Sequence, residues 1–136
     1  MVHLNEKKLI ELFGKNANDS KHLDLSGRGI ESIDQNTFKN CRNLTDLRLD
    51  GNKLKSISPK TFENLTKLTR LDLDNNQLQS IDSKTFENLI KLEFLFLFYN
   101  NDLFLNGKFK SPIIFSSCKS LKYLAISQPK KTFTNW

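Results

Sequence analysis

Few residue types that perform catalytic chemistry occur in this chain. His3 and His22 are the only histidines among 136 residues, and Cys41 and Cys118 are the only cysteines. Neither cysteine has a predicted partner base, and the sequence contains no CxxC pair and no glycine-rich phosphate-binding loop. The sequence therefore predicts a protein that is not an enzyme and that carries no cofactor.

Carboxylates offer one further kind of chemistry. Asp50, Asp72 and Asp74 are expected to cluster on one face of a sheet, and such a cluster could bind a hard cation weakly. The same face aligns opposite charges in two columns, Asp24–Arg48–Asp72 and Asp46–Arg70. Opposite charges on adjacent strands form ordinary cross-strand pairs, so we expect ion pairs and no metal site.

The spacing of these charged residues comes from an internal repeat in the sequence. The segment LTDLRLDGNKLKSISPKTFENL begins at residue 44, and the closely matching LTRLDLDNNQLQSIDSKTFENL begins at residue 68, twenty-four positions later. The frame extends in both directions and aligns four columns: Leu23, Leu47, Leu71 and Leu95; Leu25, Leu49, Leu73 and Leu97; Asn52, Asn76 and Asn100; and Phe38, Phe62 and Phe86. Self-similarity with a period of this length indicates a repeat architecture.

The repeat pattern, LxxLxLxxNxLxxIxxxxFxxL, resembles the leucine-rich repeat family over residues 22–127. Its subtype is similar to the 24-residue repeats of extracellular receptors, and LTRLDLDNNQLQSI is similar to repeats of lamprey variable lymphocyte receptors. The usual cysteine-rich end caps are absent. The resemblance implies an α/β fold, a right-handed solenoid or horseshoe with parallel strands on its concave face, and a role in recognition.

Elementary packing supports the same architecture. In each LxL motif the two leucines point to one face and their neighbours to the other, because side chains alternate along a strand. One repeat cannot bury its leucines, but stacked repeats share a continuous core. We expect the asparagine column to bond backbone groups of neighbouring coils, since buried polar groups need partners. The phenylalanine column is expected to form a spine on the convex side.

The two ends of the chain differ from the repeats. Residues 1–21 are expected to form a cap containing a helix from Glu6 to Phe13, with Asn5 as its N-cap and Gly14 just past its end. Residues 22–127 form the repeats; the fourth coil is five residues longer than the others, with the extra length within 101–114, and a final strand follows it. Residues 128–136 form a tail without a recognisable cap, which predicts an open strand edge.

The cysteines bear on localisation. Cys41 and Cys118 occupy equivalent positions three coils apart, roughly 14 Å at ~4.8 Å per coil, which exceeds the ~7 Å limit for a disulfide. Buried free thiols and a start without a signal-peptide core favour the cytoplasm. Three glycosylation sequons, about the number expected by chance, leave open a secreted or cell-surface origin if the chain is trimmed.

The charge distribution limits the choice of partners. The formal net charge is +6, but the exposed strand positions of the first three repeats carry five Asp and two Arg, a net −3 that leaves +9 elsewhere. An acidic strand face argues against nucleic acid as the partner there. No apolar run approaches the ~20 residues of a membrane span.

In the fourth repeat the exposed strand positions are aromatic. Phe94, Phe96 and Phe98 alternate with the core leucines, and Tyr123 follows on the next strand. Exposed aromatic clusters mark interaction sites. We therefore predict that a protein or peptide binds the concave face, with these four residues as anchors and a polar rim of charged residues: Asp46, Arg48, Asp50, Arg70, Asp72 and Asp74.

Three alternatives stay open for the aromatic residues. The long loop at 101–114, or the tail with Phe133 and Trp136, could cover them and make them core; the loop is expected to leave on the convex side, which favours the tail as the cover. The chain could instead form a homodimer through them or through the open edge of the final strand. Exposed aromatics can also stack on carbohydrate.

Overall fold

The computed structural model describes residues 2–103, 111–127 and 132–134. Its elements follow the chain in the order β1 (Val2–Leu4), α1 (Glu6–Phe13), β2 (His22–Asp24), β3 (Ile30–Ile33), β4 (Asp46–Arg48), β5 (Arg70–Asp72), β6 (Phe94–Phe98), α2 (Ser111–Ile114), β7 (Tyr123–Ser127) and β8 (Thr132–Thr134). A six-stranded sheet has the order β2-β4-β5-β6-β7-β8, and β1 pairs with β3 separately. One sheet strand per coil, in sequential order, is the arrangement of a solenoid.

The strand register follows the repeat period. Leu23, Leu47, Leu71 and Leu95 lie side by side in parallel strands, each one repeat period after the last. Leu95 pairs with Leu124, whereas the regular period would place its partner at position 119, so the fourth coil is longer than the others by five residues. Within the segment expected to hold the extra length, residues 104–110 lie outside the described residues.

The core consists of the leucine columns and the phenylalanine spine. The leucines of β4, β5 and β6 are fully buried. The rings of Phe38, Phe62, Phe86 and Phe115 stack in sequence, with centroids separated by 6.5, 6.5 and 6.0 Å. The predicted spine is confirmed, and Phe115 continues it past the lengthened coil.

The asparagine column joins neighbouring coils, as expected. Asn76 donates from Nδ2 to the carbonyls of Leu49 and Leu73 at 3.0 and 3.1 Å, and its Oδ1 accepts from the Leu54 amide at 3.1 Å. Asn52 and Asn100 repeat these contacts one coil before and one coil after. Each buried amide thus satisfies backbone groups that the turns leave unpaired.

The N-terminal segment forms the predicted helix. Asn5 caps α1 by accepting a hydrogen bond from the Lys8 amide at 2.8 Å, and Gly14 ends the helix at φ 91°. The helix places fully buried Leu9 against the repeat core, and Phe13 lies 5.4 Å beneath the Arg28 guanidinium. Strand β1, which the sequence did not predict, adds a parallel partner for β3.

The prediction that the final strand has an open edge is wrong. Strand β8 runs antiparallel to β7 and pairs Thr132 with Ala125 and Thr134 with Tyr123. The backbone groups on that side of β7 therefore have partners within the chain, as edge strands require to avoid pairing with other molecules. A dimer formed through this edge of β7 loses its structural premise.

Both cysteines are buried free thiols, as predicted. The Cys41 Sγ lies 3.5 Å from Asn18 Oδ1, and the Cys118 Sγ lies 3.8 Å from the Phe86 carbonyl. Burial raises the pKa of each thiol to about 11, and the charge of Glu6 adds to the effect on Cys41. Thiols with so high a pKa are weak nucleophiles at neutral pH.

Among the described residues, no helix has the length and apolar character needed to cross a membrane.

Candidate functional site

The candidate site is the concave face, defined as the sheet surface opposite the core leucines. Alternation about Leu47, Leu71 and Leu95 directs the neighbouring side chains to this face. Ten residues were predicted to bind a ligand. Eight of them lie at alternate positions of the paired strands: Asp46, Arg48, Arg70, Asp72, Phe94, Phe96, Phe98 and Tyr123. Asp50 and Asp74 lie two residues past the ends of β4 and β5 and continue the same alternation. The ten residues form two contiguous parts, one charged and one aromatic.

The charged part contains an acidic cluster of Asp50, Asp72 and Asp74. Asp72 is only 9% exposed and accepts a hydrogen bond from the Asp74 amide at 3.0 Å. Burial raises the pKa of Asp74 to about 7, reinforced by the charges of Asp72 and Asp50. Burial also raises the pKa of Asp72, and the charge of Asp50 adds to that effect. The partial burial of Asp72 and Asp74, together with the nearby charge of Asp50, therefore disfavours the ionised forms of these two carboxyl groups.

The ion pairs of this face differ from those predicted. The expected register is present, with Asp46 beside Arg70 and Arg48 beside Asp72. However, Arg48 Nε lies 3.6 Å from Asp46 Oδ1 and Arg70 Nη2 lies 3.8 Å from Asp72 Oδ2, so both pairs form within one strand. Residues two apart on a strand share a face, and an arginine side chain spans that distance. Across strands, the described part of this face pairs His22 with Asp46 at 3.9 Å.

Within residues 2–103, 111–127 and 132–134, no group of three or more His, Cys, Asp or Glu side chains is arranged to hold a metal ion.

The aromatic part, here called the aromatic patch, consists of Phe94, Phe96, Phe98 and Tyr123. Phe94 is 39% exposed and the other three are half-buried. The rings of Phe96 and Tyr123 lie 5.4 Å apart and are tilted by 44°. The Arg70 guanidinium carbon lies 4.6 Å from the Phe96 ring centroid, a cation–π distance. This contact joins the aromatic patch to the charged part.

Covering of the aromatic patch by the C-terminal tail is one of the alternatives to partner binding. The backbone of Thr132–Thr134 extends the sheet as β8, beside β7. Trp136 lies outside the described residues. In the structure, Phe94 keeps more than a third of its surface exposed.

Tyr99 is a further surface residue that the sequence reasoning missed. Its φ of 58° is left-handed, and the equivalent positions in the preceding coils are Gly27, Gly51 and Asn75, all with positive φ. A tyrosine is unusual in this conformation and carries backbone strain. Tyr99 is 44% exposed, and its ring centroid lies 6.2 Å from that of Phe98. Comparing the repeat columns would have revealed it as an aromatic residue at a position that favours glycine or asparagine.

The structure resembles solved structures that share this architecture. A TLR13–ssRNA13 complex matches with a TM-score of 0.76 and 28% identity, covering 93% of this chain and 16% of that one. An APL1 leucine-rich repeat domain matches with a TM-score of 0.79 and 27% identity, covering 94% and 31%. The glycosylated Toll–Spätzle complex of Drosophila matches with a TM-score of 0.73 and 30% identity, covering 93% and 17%.

The chain therefore spans less than a third of each of these structures. No curated protein sequence matches it. The family model for leucine-rich repeats matches residues 21–78 and 42–103, which together exceed half of the chain. With the periodic leucines, the asparagine ladder and the parallel sheet, this match shows that the chain belongs to the leucine-rich repeat family.

Proposed function

We propose that the chain is a non-enzymatic recognition module that binds a protein or peptide on its concave face. The aromatic patch supplies the anchors, and the charged residues beside it form a polar rim: Asp46, Arg48, Asp50, Arg70, Asp72 and Asp74. The observation that carries the proposal is an aromatic patch with Phe94 exposed and the other three rings half-buried, on the face opposite a complete leucine core.

The core does not require these rings. Leu95 and Leu97 are fully buried on the other face of β6, and the phenylalanine spine occupies a separate position in each coil. Contiguous aromatic surface in water is uncommon unless it binds something, and buried aromatic anchors supply much of the affinity at interfaces.

The charge of the face favours a protein over nucleic acid. Two similar structures are complexes, one of Toll with Spätzle and one of TLR13 with a single-stranded RNA. On this chain the exposed strand positions of the first three repeats, Asp24 included, have a formal net charge of −3. A polyanion would meet repulsion there, since nucleic-acid affinity comes largely from cationic contacts with phosphates.

The test is a binding experiment with a matched control. Peptides selected on the parent protein from a random displayed library are measured against Phe94→Ala/Phe96→Ala and against Ile90→Ala. Ile90 is 53% exposed at the turn before β6, so its truncation removes apolar surface away from the patch. We expect the double variant to lose about 30-fold or more in affinity, corresponding to ~2 kcal/mol, while Ile90→Ala binds as the parent does.

A contrary result would identify the aromatic patch as core. In that case the double variant would lose several kcal/mol of unfolding free energy, as truncation of buried phenylalanines does, while peptide binding stayed unchanged.

Two other occupants fit exposed aromatic rings. A second copy of the chain would produce a dimer that Phe94→Ala disrupts, and sedimentation equilibrium of both proteins tests this. Carbohydrate would stack on the rings, and a glycan array tests that.

A further inference from the structure

The concave face also specifies the chemistry of its partner. We propose that the bound segment is cationic and apolar: a Lys or Arg side chain lies against the acidic cluster, and an aromatic or aliphatic side chain nearby in the segment lies on the aromatic patch. This inference rests on the proposed function and defines its partner class.

Charge complementarity gives the first argument. The exposed strand positions of the first three repeats, Asp24 included, have a formal net charge of −3, and the remainder of the chain carries +9. Asp50, Asp72 and Asp74 repel one another, and the two arginines on neighbouring positions, Arg48 and Arg70, are engaged 3.6 and 3.8 Å from Asp46 and Asp72. A cation from the partner would relieve this repulsion, whereas an anion would increase it.

The contact between Arg70 and Phe96 gives the second argument. At the boundary between the two parts, the Arg70 guanidinium lies 4.6 Å from the Phe96 ring centroid and 3.8 Å from a carboxylate oxygen of Asp72. The protein itself therefore places a cation between an aromatic ring and a carboxylate at this position. A partner cation beside it would find the same two kinds of neighbour.

The distance between the two parts gives the third argument. Asp72 and Phe96 are register partners on adjacent strands, and Asp74 Oδ1 accepts a hydrogen bond from the Phe98 amide at 2.6 Å. Adjacent strands lie ~4.8 Å apart, and an extended peptide advances ~3.3 Å per residue. One to three ligand residues thus span from the acidic cluster to the aromatic patch.

The first experiment determines what the face selects. A random dodecapeptide library displayed on phage is selected on the parent protein and depleted on Phe94→Ala/Tyr123→Ala. We expect the remaining peptides to be enriched in Lys or Arg within three residues of an aromatic or aliphatic residue. Patch-dependent peptides that are neutral or acidic would overturn this inference and leave the proposed function intact. If no peptide depends on the patch, the proposed function fails and this inference fails with it.

The second experiment isolates the acidic cluster. One selected peptide is titrated calorimetrically into Asp72→Asn/Asp74→Asn and into Glu63→Gln/Glu87→Gln, which replaces two exposed carboxyl side chains outside the cluster by the matching amides. Asparagine retains an oxygen to accept the amide hydrogen bonds, and circular dichroism verifies folding. We expect the aspartate variant to bind about tenfold more weakly and the glutamine variant to bind unchanged. Equal effects in both variants, or none in either, would overturn the inference.

Discussion

Asp74 connects the charged and aromatic parts of the concave face. Its Oδ1 accepts a hydrogen bond from the Phe98 amide at 2.6 Å, which favours the ionised carboxylate. Burial and the charges of Asp72 and Asp50 act more strongly in the opposite direction and raise the pKa of Asp74 to about 7, against an ordinary value of 3.8. The folded protein therefore holds this proton more tightly than the unfolded chain does.

Stability is expected to depend on pH through Asp74. As pH rises, the unfolded chain loses the proton near pH 3.8 and the folded chain near pH 7, so the contribution to stability falls over that interval and then levels off. Chemical denaturation near pH 5 and near pH 8 measures the change in the parent and in Asp74→Asn. The parent should lose more unfolding free energy than Asp74→Asn between the two pH values. The extra loss should be smaller than the ~1.4 kcal/mol that each unit of pKa shift would give in full, because solvent screens a partly exposed carboxylate.

The Asp74→Asn variant is the control in this comparison, because it lacks the carboxyl group to which the pH dependence is assigned. The assignment to Asp74 is incorrect if both proteins lose the same stability between the two pH values.

From the sequence, a side chain could be assigned to the concave face only where the alternation of side chains along a strand determines its direction. Alternation about Leu95 and Leu97 was sufficient to put Phe94 and Phe96 on the concave face. It could not give the raised pKa of Asp74, because that depends on burial and on the charges of Asp72 in the same coil and Asp50 in the preceding one. Nor could it distinguish ion pairs within a strand from ion pairs across strands, since arginine reaches both.

Among the secondary-structure elements, β1 gives the first coil a contact that later coils lack. Thr37, Thr61 and Thr85 occupy equivalent buried positions in three successive coils. The Thr37 Oγ1 donates to the carbonyls of Leu4, at the end of β1, and Asp34, at 3.1 and 2.7 Å. In the described part of the chain, the Oγ1 atoms of Thr61 and Thr85 have no hydrogen-bond partner.

Valine, which has nearly the same shape as threonine, tests this difference. Thr37→Val should lower the unfolding free energy by ~1 kcal/mol, because a hydrogen bond is lost. Thr61→Val should be neutral or slightly stabilising, because it removes a buried hydroxyl that has no partner. Urea denaturation of both variants measures the contrast. Equal losses in the two variants would mean that the contact with β1 contributes nothing.

The sequence predicted α1 and the strands of the sheet up to β7, and missed the short elements β1, β3, α2 and β8. Helix α1 has a local signal in Asn5 and Gly14, and the sheet strands have the LxL pattern. Strands β1 and β8 have three residues each and are defined by partners distant in sequence, β3 and β7. Pairing over such a distance leaves no local periodicity, so neither strand could be recognised from the sequence.

At the scale of the whole molecule, the sheet is a series of nearest-neighbour contacts. Strands β2, β4, β5, β6 and β7 pair in chain order, and the asparagine column and phenylalanine spine each join one coil to the next. In such an array, stability is approximately a sum of terms for coils and for the interfaces between them. Helix α1 completes the first interface by placing fully buried Leu9 against the core of the first coil.

Shortening a buried leucine side chain in the cap and shortening one in the central coil should therefore destabilise different regions of the molecule. Leu9→Ala and Leu71→Ala each remove a fully buried leucine side chain and should each cost ~2–5 kcal/mol. Native-state hydrogen exchange should show faster exchange after Leu9→Ala chiefly in β2 and β3, next to the cap, with β6 and β7 protected as in the parent. After Leu71→Ala, exchange should rise on both sides of β5, because that coil has two neighbours. If Leu9→Ala accelerated exchange uniformly from β2 to β7, the array would unfold as a single unit and the nearest-neighbour description would be wrong.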